Sequence, residues 1–309
     1  MTLLEAKQTL KINRLALKSY QQTINRDKEL IAAGRKAKND IIQSLSQEAS
    51  KKAIIQENLN SIHNAKLNLL DTIGLPLNID ISIPTHINLI AIEHRLLGRK
   101  NLPNTIVAKK LALANNPTFQ AEGYVLKILD RDLLVAKDNH RWKLDLTVSE
   151  TRGGGSGLGR NAGLESLVNS RNHNEKVGLD LNIPIDDVTL KQAIINARVG
   201  LEKGKIAYNN KKRELEISIT DKRQSLLSLK KQIALDNRAE KLTSKTVQND
   251  EILYDAGRLS SFEKLTHQND LINARQTALN HTINYILALK NFISELGATL
   301  DRWNIKIRY

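Results

Sequence analysis

The chain has 309 residues and a formal net charge of +14 at pH 7, from 47 Lys and Arg against 33 Asp and Glu. It contains no cysteine, which excludes a disulfide framework and a Cys-based zinc site, and only 4% of its residues are aromatic. So low an aromatic share favours extended helices with narrow cores over two compact domains. The basic residues are scattered among acidic ones at helical spacing, which indicates a solvated helix face. A polyanionic partner such as nucleic acid or acidic lipid is the alternative.

The chain also matches itself at a fixed offset. Gly34 and Gly257, each preceded by Ala and followed by Arg, are 223 residues apart, and Gly74 and Gly297 have the same separation (257 − 34 = 297 − 74 = 223). A match at a fixed offset defines a structural unit, so we predict two copies of one element. The second copy begins far upstream of the residue that Met1 matches, and the first copy is therefore expected to be incomplete.

The first predicted element is an antiparallel helical hairpin over residues 1–77. A helix without Gly or Pro runs to about residue 31, Gly34 interrupts it, and a second helix continues until Gly74 and Pro76 end it. Residues 78–104 contain further prolines and are predicted to be a connector with one short helix.

Residues 105–300 are predicted to form a larger copy. A helix over 105–137 is interrupted by an Asn-Asn-Pro sequence. The period then changes from 3.6 to 2, which predicts strands over 140–149 and 175–184 with a polar, glycine-rich loop, 150–174, between them. Each strand has one apolar face and a length typical of membrane strands, so it needs a protein core or lipid to cover it. The apolar residues are Trp142, Leu144, Leu146, Val148, Val177, Leu179, Leu181 and Ile183.

Residues 187–297 are predicted to form two long antiparallel helices. Pro184 to Asp187 start the first, because proline and acidic residues favour a helix N-terminus. This helix extends to about Tyr254, a length on the order of 100 Å at 1.5 Å per residue. Gly257 turns the chain, and an S-x-x-E sequence at Ser260 predicts a capping box for the returning helix.

The predicted fold class is therefore mainly α, with long antiparallel coiled-coil helices of an α-helical barrel and two membrane β-strands per chain. Residues 301–309 are a tail. No stretch of about 18 uncharged apolar residues is present, so no transmembrane helix is predicted. No export leader is predicted after Met1.

The order of these elements resembles one repeat of the TolC-type outer-membrane efflux proteins. The matching sequences are Leu113–Pro117, Val177–Pro184, Tyr254–Ser260 and Leu296–Gly297. None of them is distinctive alone, but their order and spacing together are. The resemblance covers residues 104–300 as a second repeat, and residues 1–77 resemble the last helical hairpin of the first repeat.

The resemblance implies a passive export channel, with no enzyme activity and no cofactor. In this family three chains form one twelve-stranded β-barrel in the outer membrane of a Gram-negative bacterium, continued by an α-helical tunnel across the periplasm. The tunnel meets a periplasmic adaptor (membrane fusion) protein that is coupled to an inner-membrane pump, in tripartite efflux or type I secretion systems. The implied partners are two further copies in a homotrimer, the adaptor, the pump and outer-membrane lipid, with no nucleic acid.

The strand number departs from this family. Two strands per chain give six in a trimer, fewer than the eight of the smallest bacterial barrels. An open sheet edge in lipid would leave backbone groups unpaired. We therefore expect an incomplete chain, whether from truncation, a wrongly assigned start or gene decay.

The resemblance also implies roles at the two hairpin turns. Gly34 and Gly257 would be the turn glycines, and Asp40, Glu263 and Tyr254 would close the periplasmic tip. Symmetry-related carboxylates near an axis repel one another, so cations or hydrogen bonds must hold such a tip closed. Simpler explanations exist, since Glu263 can be a capping-box partner and Asp40 a helix-start carboxylate. An adaptor contact is implied for the neighbouring turn residues Arg35, Arg258, Leu259 and Ser260.

Three other sequence features have a structural explanation as well as a functional one. Trp142 is expected to be an interfacial anchor, or simply a packing residue. Gly157 and Gly159 mimic a dinucleotide fingerprint, but the preceding strand alternates, so an extracellular loop explains them better. The seven histidines do not cluster at ligand spacing, so no metal site is expected. The rival functions are a soluble basic coiled-coil scaffold or nucleic-acid-binding protein, a non-functional remnant, and an enzyme that uses the glycine-rich loop.

Overall fold

The computed structural model describes residues 2–81, 88–98, 102–152, 173–303 and 305. It confirms the predicted fold class, because long helices dominate and two antiparallel strands form a hairpin. In chain order the elements are α1 (Thr2–Ala32), a 3-10 helix (Lys38–Asp40), α2 (Ile41–Ile73), α3 (Leu89–Leu97), α4 (Thr105–Asn115), α5 (Pro117–Asn139), β1 (Lys143–Arg152), β2 (His173–Asn182), α6 (Val188–Asp255), α7 (Ser261–Glu295) and α8 (Thr299–Arg302).

The chain divides into two compact units. The first comprises residues 1–116 and 215–309, and the second comprises residues 117–214. The first unit contains both helical hairpins, α1–α2 and the α6–α7 pair, together with the segment between them. The second unit contains α5, the two strands and the first part of α6.

Four helix ends in the first unit have the same cap, which explains the glycines of the sequence repeat. Gly34, Gly74, Gly257 and Gly297 all have a φ of +70°, a left-handed conformation that is costly for other L-residues. The backbone N–H after each glycine donates to the carbonyl five residues earlier, at 2.8 to 3.2 Å. Helices α1, α2, α6 and α7 therefore all end in a Schellman motif.

The repeat also fixes the register within each hairpin. Polar side chains that meet between α1 and α2 have counterparts that meet between α6 and α7 at the same offset (250 − 27 = 267 − 44 = 236 − 13 = 281 − 58 = 223). The two hairpins thus keep one register although the side chains that mark it differ. The contacts are Ser44–Asp27 (3.0 Å), Asn13–Asn58 (2.7 Å), His267–Asp250 (2.7 Å) and His281–Asp236 (2.5 Å).

The core of the first unit is a narrow seam of apolar side chains between these helices. Burial in this seam raises the pKa of Tyr20 to about 12. Because a seam this thin gives each helix few neighbours, the helix caps and interhelical polar contacts carry much of the specificity of the packing. The largest fully buried apolar side chains are Tyr20, Phe292, Leu70, Ile219, Leu226, Leu265 and Leu289.

The segment between the hairpins packs on α6 and α7, and one of its carboxylates contacts both helices. Asn88 caps α3, its side chain accepting a hydrogen bond from the Ala91 N–H at 3.0 Å. The Glu93 carboxylate accepts hydrogen bonds from the Tyr285 hydroxyl and from the Lys230 ammonium, the latter at 2.9 Å. Burial opposes ionisation of Glu93, but these two hydrogen bonds outweigh it and lower the pKa of the carboxyl group.

Glu93→Gln is expected to lower the free energy of unfolding by about 1 kcal/mol near neutral pH, because the amide loses two charge-assisted hydrogen bonds. The pKa of Glu93 is lowered in the folded protein. Ionised Glu93 therefore contributes its full stabilisation above the ordinary pKa of about 4.3, and this stabilisation is lost as the pH falls through the folded pKa. Urea denaturation should show the wild type and the variant converging as the pH falls below the ordinary pKa of the carboxyl group. Glu57→Gln, at an exposed position of α2, is the control. A difference that stays constant into acid would contradict this account.

The second unit contains the β-hairpin. Its apolar side chains share one face and are 51% to 71% exposed. The strands were predicted at 140–149 and 175–184 but lie at 143–152 and 173–182, because the ladder extends only as far as both strands pair. Trp142 and Ile183 therefore lie just outside the strands. The cross-strand neighbours on the apolar face are Leu144 and Leu181, Leu146 and Leu179, and Val148 and Val177.

Two further predictions concern this unit. Helix α6 begins at Val188, one residue after the predicted bound of 187. Pro184 lies outside the helix, because Asp186 has a φ of +52°, which no α-helix accommodates. Asp187 caps the helix, accepting from the Leu190 N–H at 3.1 Å.

The loop predicted at 150–174, with Gly157 and Gly159, lies outside the described residues except at its ends, which belong to the strands. In the described part of the chain, no helix has both the length and the apolar character needed to cross a membrane.

Candidate functional site at the hairpin turns

The two hairpin turns are in contact, and a polar cluster is buried between them. At its centre is Asp27 of α1, which lies seven residues before Gly34. The Asp27 side chain is 0% exposed. A buried carboxylate is stable only when hydrogen bonds and an opposite charge compensate for the water it has lost. The partners of Asp27 therefore define the cluster.

Four side chains donate hydrogen bonds to the Asp27 carboxylate. Ser44 of α2 donates to Oδ2 and Ser261 of α7 donates to Oδ1, both at 3.0 Å. The Lys36 ammonium, in the turn after α1, and the Tyr254 hydroxyl of α6 also donate to Oδ1. Because the donors come from both hairpins, the cluster joins the first hairpin to the second.

Lys36 supplies the opposite charge. Its side chain is 12% exposed, and its ammonium forms an ion pair with Asp27. The same ammonium donates to the Ser261 hydroxyl and lies 3.4 Å from the Tyr254 hydroxyl. An ammonium has three N–H donors, so all three have an acceptor within the cluster.

Tyr254 is held from several sides. Its side chain is 3% exposed. Burial raises the pKa of its hydroxyl above the usual value, and the hydrogen bond to Asp27 raises it further. The Lys264 ammonium lies 4.4 Å from the centre of the Tyr254 ring and the Lys36 ammonium lies 5.6 Å from it, both within cation–π range. Tyr254 is therefore neutral and fixed in place at physiological pH.

A groove with a volume of about 330 Å³ lies beside this cluster. Both turns line it, and its rim carries Phe262, which is 60% exposed. Exposed aromatic side chains and arginine are enriched at protein interfaces. Three residues predicted to contact an adaptor, Arg35, Leu259 and Ser260, are part of the lining, together with the turn glycine Gly257.

Comparison with solved structures identifies the fold. The chain superposes on CusC, described in terms of transmembrane channel formation, with a TM-score of 0.79 at 19% identity, over 96% of this chain and 66% of that one. It superposes on VceC, an outer membrane protein of Vibrio cholerae, with a TM-score of 0.77 at 16% identity, over 96% and 67%. The Campylobacter jejuni CmeC outer membrane channel gives a TM-score of 0.72 at 16% identity, over 96% and 60%. No protein-family model matches the chain, and no curated protein matches it significantly.

The chain has the TolC-type channel fold. It spans about two thirds of the length of CusC and VceC. The identities are below 20%, so the agreement lies in the arrangement of the helices and strands. That arrangement is what the repeat and the order of elements predict from the sequence.

Within this TolC-type fold the predicted turn residues have defined places. Gly34 and Gly257 end α1 and α6. The capping box predicted at the start of α7 is confirmed, since Ser260 Oγ accepts from the Glu263 N–H at 3.1 Å and the Glu263 carboxylate accepts from the Ser260 N–H at 3.1 Å. The hydrogen bonds from Ser260 lower the pKa of Glu263. Asp40 belongs to the 3-10 helix, but its side chain lies outside the described residues, and a tip-closing role for Asp40 and Glu263 stays a prediction.

Most of the buried cluster was not predicted from the sequence. Tyr254 was predicted as a tip residue, but Asp27, Lys36, Ser44 and Ser261 were not. A signal was available for Asp27, because it follows Tyr20 by seven residues and so lies on the buried face of α1. Its partners in the second hairpin could not be found this way, since Tyr254 is 227 residues further along the chain.

A second polar contact in the first unit joins the Asn-Asn-Pro sequence to the closing Leu-Gly sequence, two of the sequences on which the family resemblance rests. The Asn116 side-chain amide donates to the Glu295 carbonyl at 2.8 Å. The Glu295 carboxylate in turn accepts from Ser218 at 2.6 Å and from Lys222. Next to this contact Gly297 lies against the end of α4, so the Asn-Asn-Pro sequence and the closing Leu-Gly sequence form one structural contact.

Proposed function

We propose that this chain is part of an outer-membrane export channel with a periplasmic extension and that it is not an enzyme. The observation that carries the proposal is a β-hairpin with a continuous exposed apolar face in a chain of TolC-type fold. An exposed face of this kind is unstable in water on a two-stranded hairpin. Lipid is the environment that covers it, and Trp142 would lie at the lipid headgroups.

The same hairpin supports assembly with further copies. In lipid every backbone N–H and C=O must be paired, so the outer edges of β1 and β2 require neighbouring strands. A homotrimer in the Gram-negative outer membrane would supply them by symmetry, together with any strands that the rest of the protein contributes. The long helices would then continue as a tunnel across the periplasm.

The buried cluster supports a closed tip at the end of this tunnel. Opening there requires the two hairpin turns to separate, which breaks the contacts of Tyr254 and Ser261 with Asp27. A periplasmic adaptor seated in the neighbouring groove could supply the free energy for this separation, because it would contact Arg35 and Leu259 on opposite turns. An inner-membrane pump would act through the adaptor, in a tripartite efflux or type I secretion system.

The first test is conductance of the native protein in planar bilayers. Tyr254→Phe should raise the basal conductance about tenfold, because it removes a buried hydrogen bond to a charged group worth about 1.5–3 kcal/mol. Asp40→Ala combined with Glu263→Ala should also raise it if these carboxylates hold the tip closed. Tyr124→Phe, at a site that is 64% exposed, is the control and should leave the conductance unchanged.

Fractionation of cells decides the location. The proposal requires the protein in the outer-membrane fraction and its release only by detergent. A protein that is soluble without detergent, conducts no ions and binds duplex DNA with a steep salt dependence would support the rival scaffold or nucleic-acid binder and contradict the channel.

A further inference from the structure

Two helices of the first unit carry a dense basic surface away from the turns. Residues 6–26 of α1 contain five Lys or Arg and no Asp or Glu, and the repeat-equivalent residues 229–249 of α6 contain five Lys or Arg and two acidic residues (6 + 223 = 229, 26 + 223 = 249). On each helix, three of these basic residues are exposed and are spaced at i, i+3 and i+7. We call these six residues the basic belt. They are Lys11, Arg14, Lys18, Arg238, Lys241 and Lys245.

The described part of the chain does not neutralise the belt. The two acidic residues of α6 are already engaged, Asp236 with His281 and Glu240 with Arg275 at 3.2 Å. Across the described ranges of the chain, none of the six belt side chains forms an ion pair. Positions i, i+3 and i+7 lie on one face of a helix, so each helix presents its charges in one direction.

The segment between the hairpins shows which way this face points. Lys230, which is three helical turns before Lys241 and so faces the same side, is bound by Glu93 at 2.9 Å. On the first hairpin the pKa of Asp80 is lowered, mainly by its hydrogen bond from Lys66 and also by the charge of Lys7. The connecting segment therefore lies on the basic face of α6, and on the first hairpin its Asp80 forms an ion pair with Lys66 of α2 at 2.7 Å. A segment that crosses both hairpins lies outside a closed helical tunnel, and the belt then faces outward.

The chemistry of the belt favours a hydrated polyanion over a folded protein. Protein interfaces are anchored by buried aromatic and arginine side chains, whereas residues 229–249 contain no aromatic residue and Tyr20, which lies within 6–26, is fully buried. Four of the six belt residues are lysines, which act as hydrated point charges. Such a surface attracts distributed negative charge without requiring one precise fit.

We propose that the basic belt binds the carboxylates of peptidoglycan. This rests on the proposed function, because helices that cross the periplasm must pass through this anionic cell-wall polymer. Binding there would hold the channel at a fixed level relative to the wall. The belt extends from the connecting segment toward the hairpin turns, so the wall would be held there without covering the adaptor groove.

The test is co-sedimentation of the purified native protein with peptidoglycan sacculi at about physiological salt. The wild type should pellet with the sacculi, and binding should weaken as salt is raised. Lys11→Glu combined with Arg14→Glu, Lys18→Glu and Lys241→Glu should weaken it at least about tenfold, from the contribution expected per basic residue at an anionic surface. The matched control carries Lys110→Glu, Lys203→Glu, Lys212→Glu and Arg213→Glu. Both variants have the same net charge of +6 (14 − 8), and the control should keep its binding.

Sacculi whose carboxylates have been amidated provide a second test that needs no variant. The wild type should not pellet with them. Equal loss of binding in both charge variants, retained binding to amidated sacculi, or binding to polyglutamate or duplex DNA but not to sacculi would each overturn the proposal. Conductance distinguishes failure of this proposal from failure of the proposed function. A protein that conducts ions but does not bind sacculi contradicts only peptidoglycan binding by the belt. A protein that binds sacculi but does not conduct contradicts only the channel.

Discussion

Asp27→Asn is expected to lower the free energy of unfolding by about 2–4 kcal/mol, because it removes one partner of a buried ion pair and leaves the other. The Lys36 ammonium would remain mostly buried beside an uncharged amide. The new Nδ2 group would also face donors where the carboxylate accepted four hydrogen bonds. Lys36 lies in a turn and can move partly into water, so the expected loss is below the largest values for buried pairs.

Asp250→Asn is the matched control for this substitution. Asp250 has the equivalent position in α6 and is 5% exposed, but its partner His267 is 39% exposed and carries no obligatory charge. We expect a loss of about 1 kcal/mol there, the value of one hydrogen bond. Urea denaturation followed by the helical circular dichroism signal measures both changes. Equal losses would contradict a special role for the cluster around Asp27.

Lys36→Met tests whether the two charges act as a pair. Alone it should destabilise the protein, because the Asp27 carboxylate keeps its burial and loses its counter-ion. In the Asp27→Asn background it should restore part of the lost stability, since no unpaired charge is left. Additive losses in the double variant would show that the two side chains do not interact.

The helices and their caps could be predicted from the sequence because their causes are local. A glycine at φ +70° and the Schellman hydrogen bonds around it depend on about six consecutive residues, and the repeat shows the same solution twice. The capping box of Ser260 and Glu263 is local in the same way. Such features need no knowledge of what packs against the helix.

The rest of the site could not be predicted because it depends on residues far apart in the chain. Alternation predicted the two strands, but their ends follow from pairing with each other, so the predicted bounds were off by two or three residues. The start of α6 was predicted to within one residue, but Pro184 and Asp186 lie before the helix and not in its first turn, because Asp186 has a φ of +52°. The partners of Asp27 required the two hairpins to be placed side by side.

This distribution of local and distant causes fits the proposed mechanism. Each hairpin has its own register contacts and its own caps, so each can move as one body. The cluster between the turns joins the two hairpins through buried, charge-assisted contacts, and hydrogen bonds further along α1 and α7, such as Gln268 to Ser19 at 2.8 Å, join them as well. A switch that separates the two turns therefore acts on Tyr254, Lys36 and Asp27 and can leave the contacts within each hairpin intact.

Gly297→Ala is the second substitution for which we expect a large effect, a loss of about 3 kcal/mol in the free energy of unfolding from backbone strain and overpacking together. A Cβ at this position would lie 2.1 Å from the Asn115 carbonyl oxygen and 2.4 Å from its carbon. These are backbone atoms at the end of α4, which cannot rotate away as a side chain can. Relief would require α4 to move from α7 and would strain the contact between Asn116 and Glu295.

Gly74→Ala separates the two causes. Gly74 is the repeat equivalent of Gly297 and has the same φ of +70°, but a Cβ there would meet nothing within 4 Å. Strain of the left-handed backbone alone should lower the free energy of unfolding of Gly74→Ala by about 1 kcal/mol. Urea denaturation measures this loss in both variants, and the difference between them is the part due to the close contact with α4. If both variants lose the same stability, the close approach of α4 contributes nothing. If Gly297→Ala loses more, the meeting of the Asn-Asn-Pro and Leu-Gly sequences is a packing requirement of the fold.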